Sequence, residues 1–82
     1  MFTHITYVEY LEGYKLKLKF SNGVEGVVDL EQELHGEIFE PLRESNFFKQ
    51  VYLTSRTIEW PTGADFAPEF LLEIASQPVS AG

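Results

Sequence analysis

From Tyr14 to Phe20 the chain alternates without a break, with Tyr14, Leu16, Leu18 and Phe20 interleaved by Lys15, Lys17 and Lys19. Successive side chains of a strand point to opposite faces, so this stretch specifies a strand with one apolar and one cationic face. A helix would scatter the lysines around its circumference. The strand must therefore lie in an antiparallel sheet that is covered on one side and wet on the other.

Turn signals at Glu12-Gly13 and Ser21-Asn22-Gly23 bracket this strand, and period-two patterning extends from Ile5 to Leu30, which predicts a three-stranded meander. The register of the second hairpin follows from its side chains. A two-residue Asn-Gly loop sets Phe20 against Glu25 and Leu16 against Asp29, placing acids over the core. A three-residue Ser21-Asn22-Gly23 loop, with Gly23 left-handed in a bulge, pairs Phe20 with Val24 and Leu16 with Val28 on the core side. It also sets Lys19 opposite Glu25 and Lys15 opposite Asp29 outside. The second register is expected. For the first hairpin, a two-residue turn at Glu12-Gly13 pairs Leu11 with Tyr14, Tyr7 with Leu18 and Ile5 with Phe20 on the apolar face. It leaves Glu9 opposite Leu16, a mismatch with no explanation in the sequence.

Beyond Leu30 the alternation stops. Glu31-Gln32-Glu33-Leu34 before Gly36 reads as a helical turn closed by glycine. Ile38, Phe39, Leu42, Phe47, Phe48 and Val51 follow in short helical turns broken by Pro41 and Asn46, and most are expected to cap the apolar face of the sheet. Strands are predicted at Val51 to Leu53 and Arg56 to Trp60 around a Thr54-Ser55 turn, with Ile58 and Trp60 on one face. Pro61-Thr62-Gly63 is a turn. Ala67, Phe70, Leu71 and Ile74 then fall at i, i+3, i+4 and i+7 behind Pro68, the pattern of an amphipathic helix of about two turns. The fold expected is α+β: an antiparallel β-meander with added strands, one face covered by short helices and a C-terminal amphipathic helix. Residues 1–75 form the single domain, and residues 76–82 a flexible tail.

At 82 residues the chain has room for one core, burying roughly 60–65% of its unfolded surface. Aromatics at 15% must supply much of that core. There is no cysteine, hence neither a disulfide framework nor a thiolate zinc site. The N-terminus lacks the basic start and apolar run of a secretory signal, and no stretch approaches a membrane span, so a cytoplasmic location is expected. Six Lys and Arg against thirteen Asp and Glu give a net charge of −7. That sign repels nucleic acid and anionic lipid at long range and attracts basic proteins.

The stretches Tyr14-x-Leu16-x-Leu18-x-Phe20-Ser21-Asn22-Gly23, Val28-Asp29-Leu30, Phe39-x-Pro41-Leu42-Arg43 with Phe47, and the block from Ile58-Glu59-Trp60-Pro61-Thr62-Gly63-Ala64-Asp65 through Phe66-Ala67-Pro68-Glu69 together resemble the bacterial domain of unknown function 2442 family. The resemblance runs from about Ile5 to Ile74. The Trp-Pro-x-Gly-Ala-Asp-x-x-Pro block is its most specific part, and Thr62 stands where the family usually has Asn. The family has no established reaction. It comprises small α+β proteins, some fused to a helix-turn-helix and some encoded beside toxin partners, so the resemblance implies an antitoxin-like or regulatory role. No helix-turn-helix follows in this sequence, and any contact with DNA would fall to a partner chain.

Trp60, Asp65 and Glu69, with Arg43 or Arg56 nearby, are the candidate recognition patch, since Trp and Arg concentrate binding energy at interfaces. The competing reading is architectural: Pro61 and Gly63 turn the chain, Asp65 or its neighbour caps the helix, and Trp60 fills the core with its indole N–H bonded to backbone. The stripe Lys15, Lys17 and Lys19, with Tyr10 beside it to stack a base, has the form of a phosphate-contacting surface. Facing acids and the net charge argue instead for an ordinary solvated strand. Glu25, Asp29, Glu31, Glu33, Glu37, Glu40 and Glu44 form an acidic run answered within its span only by Arg43, suited to steering a basic partner. His4 and His35 have no ligand spacing, no serine lies in a nucleophile elbow, and no Gly-rich phosphate loop occurs, so no metal, cofactor or catalytic residue is assigned. The expectation is a protein-binding or regulatory module with another protein, a basic one, as partner, and with no direct nucleic acid and no membrane. The alternatives are a small-ligand domain or enzyme using a pocket near Trp60 and Asp65, and a homodimer formed through an edge strand.

Overall fold

In the computed structural model, which describes residues 3–76, the chain forms a three-stranded antiparallel sheet covered on one face by short helical turns, a small second sheet and a C-terminal helix. The strands β1 (Ile5–Glu12), β2 (Lys15–Phe20) and β3 (Glu25–Asp29) lie in sequence order. Two 3₁₀ turns, Glu31–Glu33 and Glu40–Arg43, lead to helix α1 (Ser45–Phe48), strands β4 (Tyr52–Leu53) and β5 (Ile58–Glu59), and helix α2 (Pro68–Ser76). This is the α+β fold expected. The expected tail, residues 76–82, lies outside the described residues except for Ser76, which is the last residue of α2.

The second hairpin has the register selected by charge and burial. Lys15 faces Asp29, Leu16 faces Val28 and Lys19 faces Glu25. Phe20 N donates to Val24 O (2.8 Å), and Gly23 takes a φ of 92° in the three-residue loop, a conformation that costs a glycine little. The Asn22 carboxamide accepts from Val24 N (3.0 Å) and braces the turn. Leu16, Leu18, Phe20 and Val28 are buried, as the alternation requires.

The first hairpin departs from expectation. Ile5 does face Phe20, but irregularities between Ile5 and Tyr7 and between Tyr10 and Glu12 shift the ladder, so Val8 faces Leu18, Glu9 faces Lys17 and Tyr10 faces Leu16. The loop is Gly13-Tyr14, one residue later than expected, with Gly13 at a φ of 54°. Tyr7 and Leu11, expected inside, are 39% and 41% exposed. The physical reason is the Glu9 mismatch itself. Each bulge moves one residue out of phase, and the two together keep Ile5 inside while turning Val8 and Tyr10 inward and Glu9 outward to a lysine.

The core gathers Leu30, Leu34, Leu42, Phe48, Ile58, Trp60, Ala64 and Leu71 over the sheet's apolar side. Ile38, expected among them, is 52% exposed. Pro41 opens its 3₁₀ turn rather than breaking one, because a missing N–H costs nothing where none is needed. Asn46 likewise sits inside α1, whose first turn is capped by the Glu44 carboxylate accepting from Asn46 N (3.1 Å).

Helix α2 crosses β3 at Gly26. A Cβ there would meet Ala75 O at 2.9 Å and Ala75 Cβ at 3.2 Å, so it is close approach that demands glycine at this position. Gly26→Val is expected to lower stability by about 1–3 kcal/mol as the helix is pushed off the sheet, measured as a lower urea midpoint.

Candidate functional site

Trp60 is fully buried. Its indole Nε1 donates to Phe48 O (2.8 Å), and its ring lies 5.4 Å from Phe48 and 6.0 Å, edge-on, from Phe66. The turn after it closes on itself: Gly63 N donates to Trp60 O (2.8 Å), Trp60 N donates to Ala64 O (3.0 Å), and Gly63 has a φ of 91°. Trp60 therefore holds the core and presents nothing to a partner, which removes it from the recognition patch. Asp65 is exposed, and its backbone forms a bridge with Glu59. It does not occupy the capping position, because the first helical bond runs from Leu71 N to Ala67 O (3.2 Å), two residues further on.

Three of the candidate residues do converge. Arg56 and Glu69 line a cleft of about 350 Å³ with Thr3, His4, Ser55 and Pro68. Arg56 and Asp65 line an adjoining cleft of about 460 Å³, which also takes in Glu59 and Thr57. Arg43 lines neither. It ends the second 3₁₀ turn, where its backbone carbonyl accepts a hydrogen bond from the Tyr14 hydroxyl.

Part of the wall of the second cleft is a knot of threonine hydroxyls that the sequence reading missed. Thr54 Oγ1 accepts from Arg56 N (3.1 Å) and Thr57 N (2.9 Å) and donates to Thr57 O (3.0 Å). Thr57, the buried polar residue of the core, donates its Oγ1 to Phe66 O (2.7 Å), and Arg56 O accepts from Ile5 N (2.9 Å). Arg56 thus projects from a loop held on three sides. The signal available was Thr-x-x-Thr across a polar hairpin turn, since threonine hydroxyls satisfy turn backbone locally. Around this cation stand Glu59, Asp65 and Glu69, so the clefts carry an anionic rim. Among the described residues, no group of three or more His, Asp or Glu is placed to hold a metal ion. Among the described residues, no helix is long and apolar enough to cross a membrane.

On the outer face of the main sheet the lysine stripe meets carboxylates. Lys19 faces both Tyr7 and Glu25, Lys17 faces Glu9 and Val27, and Lys15 faces Glu12 and Asp29. Lys19 Nζ also sits 5.0 Å over the Tyr7 ring, whose hydroxyl donates to Glu9 Oε1 (2.9 Å). Tyr10, expected beside the lysines, turns to the core side and packs 6.2 Å from Phe48. That face holds three cations against four carboxylates, a balance of −1, so −6 of the chain's −7 lies on the rest of the molecule. Glu31, Glu37, Glu40 and Glu44 are exposed along the two 3₁₀ turns and the start of α1. Glu25 and Asp29, counted in the acidic run, belong instead to the lysine-matched sheet.

The sequence model of a family described as a protein of unknown function, DUF2442, matches residues 5–77. The chain belongs to this family. Neither a curated protein nor a solved structure matches it. The tryptophan block that carries the DUF2442 resemblance is thus, in this chain, the block that closes the core and leads into the cleft-lining residues Asp65 and Glu69.

Trp60→Phe is expected to strip Phe48 O of its 2.8 Å bond, leaving the 3.3 Å bond from Val51 N, and to open a gap beside it, the lost hydrogen bond alone costing roughly 0.5–1.5 kcal/mol. A surface role for Trp60 would leave the denaturation midpoint almost unchanged. Tyr52, opposite Glu59 in the small sheet, ionises above the ordinary tyrosine range, first because its neighbours strip solvent from the phenol and then because the Glu59 carboxylate favours the protonated form. A folded-state value above the unfolded one adds stability below the ordinary tyrosine range that is lost as the pH rises through it. Glu59→Gln should bring the Tyr52 titration down, as read by carbon NMR of the labelled ring.

Proposed function

We propose that this chain is a protein-binding module whose acidic, helical side docks a cationic partner protein, in an antitoxin-like or regulatory role. The observation that supports this reading is the segregation of charge. The main sheet balances its lysines with carboxylates, while the connection from Glu31 to Glu44 carries Glu31, Glu33, Glu37, Glu40 and Glu44 against Arg43. An uncompensated anionic surface steers a basic partner by long-range attraction, raising the association rate more than the affinity, and salt screens it beyond about 8–10 Å.

A second reading has its own observation, the paired clefts around Arg56. A single arginine on a loop whose backbone is fastened by the Thr54 and Thr57 hydroxyls, with Asp65 and Glu69 lining the same clefts, is an arrangement for a small ligand carrying both an anionic and a cationic group. Arg56→Ala would abolish binding on this reading and leave a charge-steered protein interface elsewhere intact.

The test of the first reading is isothermal titration and stopped-flow association with the product of the gene adjacent to this one. Replacing Glu31, Glu37, Glu40 and Glu44 by Gln together is expected to slow association by roughly ten-fold or more at low salt with dissociation little changed. Raising the salt should erase the difference. No interaction at low salt, or one indifferent to salt and to these four substitutions, overturns the proposal.

A further inference from the structure

The three-stranded sheet has two edges, and they are not equivalent. Along β1 the ladder is broken by two bulges, and Ile5 N is already taken by Arg56 O (2.9 Å) with β4 lying alongside. Bulges and cover of this kind are how natural sheets close an edge. The edge at β3 has no bulge, and the element packed against it, α2, lies over its core face at Gly26 and makes no backbone bond to it among the described residues. Phe20 N bonds Val24 O at one end of the β2–β3 ladder and Leu30 N bonds Tyr14 O (2.9 Å) at the other. Antiparallel alternation then directs the N–H and C=O groups of Val24, Gly26 and Val28 toward β2 and those of Glu25, Val27 and Asp29 away from it. None of the described residues pairs its backbone with these outward groups. Val27, between them, is 52% exposed.

The side chains of this edge say what fits it. Glu25 and Asp29 flank Val27 on the outer face, and β2 meets the same three residues with Lys19, Lys17 and Lys15. A strand on the free side with cations at alternate positions would repeat that match. A second copy of β3 would not. The two-fold register that pairs all five residues, Val27 on Val27, sets Glu25 against the copy's Asp29 twice, and like charges directly opposite destabilise a sheet.

We propose that the free edge of β3 is a β-augmentation site that takes an extended segment of a partner protein with lysine or arginine at alternate positions, extending the sheet to four strands. This rests on the reading of the chain as a binder of cationic proteins and names the surface and the conformation of the bound segment. Main-chain bonds to Glu25, Val27 and Asp29 supply affinity, and the carboxylates select sequence and register. The helical acidic side steers the same partner toward the edge, because only Leu30 separates Asp29 from Glu31.

The experiment uses the whole chain, nitrogen-labelled, and a capped synthetic peptide Thr-Lys-Val-Lys-Val-Lys-Thr as the probe. The amides of Glu25, Val27 and Asp29 should shift on addition of the peptide and exchange more slowly with solvent, and the same peptide with Glu in place of Lys should leave them unmoved. Val27→Pro removes a donor that the β2–β3 ladder does not use, so the sheet should persist while the peptide binds roughly ten-fold more weakly. Glu25→Gln with Asp29→Gln should weaken it independently, without a backbone change. Three outcomes overturn the inference: peptide shifts confined to the Glu31 to Glu44 surface, unchanged affinity in both variants, or the same protected amides produced by the chain alone as its concentration rises. The first leaves the electrostatic reading standing and removes only the edge. Edge binding with a genuine partner indifferent to salt and to the Glu31 to Glu44 substitutions would do the reverse.

Discussion

A three-stranded sheet presents an apolar face that its own strands cannot hide, and in this chain the indole of Trp60 is what pins the cover in place. The covering elements are short: two 3₁₀ turns, a four-residue helix and a two-strand hairpin. None could form alone, since helices of this length do not repay the entropy of their first turn. Trp60 joins them by filling the space between α1 and the loop after β5 and by donating to Phe48 O across twelve residues of sequence. Phe48 in turn meets Tyr10 and Tyr14 from the first hairpin, and Phe66 is stacked between Phe39 and Phe70. The result is a chain of aromatic contacts running from β1 to α2. Each ring packs against rings from distant segments, so order in one segment supports order in the next.

Functional surface follows from that arrangement. Because the tryptophan block goes into the core, what it can offer a partner is only what it positions: Asp65 and Glu69 lining the clefts, beside an Arg56 whose backbone N–H is held by the Thr54 hydroxyl. Because the outer sheet face balances its own charges, the anionic character of the chain moves to the helical connection and to the cleft rim. Because β1 is closed by bulges and by Arg56 O, the open edge of the sheet is at β3.

The second hairpin was legible residue by residue. Lys15, Lys17 and Lys19 needed acids outside, Leu16, Leu18 and Phe20 needed apolar partners inside, and a single loop length satisfied both. The amphipathic helix at Pro68 and the turns at Gly36 and Gly63 were legible for the same reason: each is a local pattern with a single physical solution. The first hairpin was not. A bulge leaves almost no mark in a short strand, and the one visible mark, Glu9 opposite Leu16, identified the fault without locating its remedy. Ile38 was assigned to the core on hydrophobicity alone, which cannot tell a residue facing the sheet from one facing water on an irregular segment.

Sequence alone thus determined the elements whose information is local: the alternation of β2, the charge-matched register to β3, the glycines at left-handed turns, and the net charge of −7. Tertiary structure decided everything that depends on which segments meet. It brought Arg56 to Asp65 and Glu69, sent Trp60 inside and away from Arg43, made Gly26 necessary because Ala75 crosses there, and closed one sheet edge while leaving the other free. Local patterns constrain a residue by its own neighbours in the chain. The meeting of distant segments is set by the shape of the whole apolar face, which no single stretch of sequence encodes.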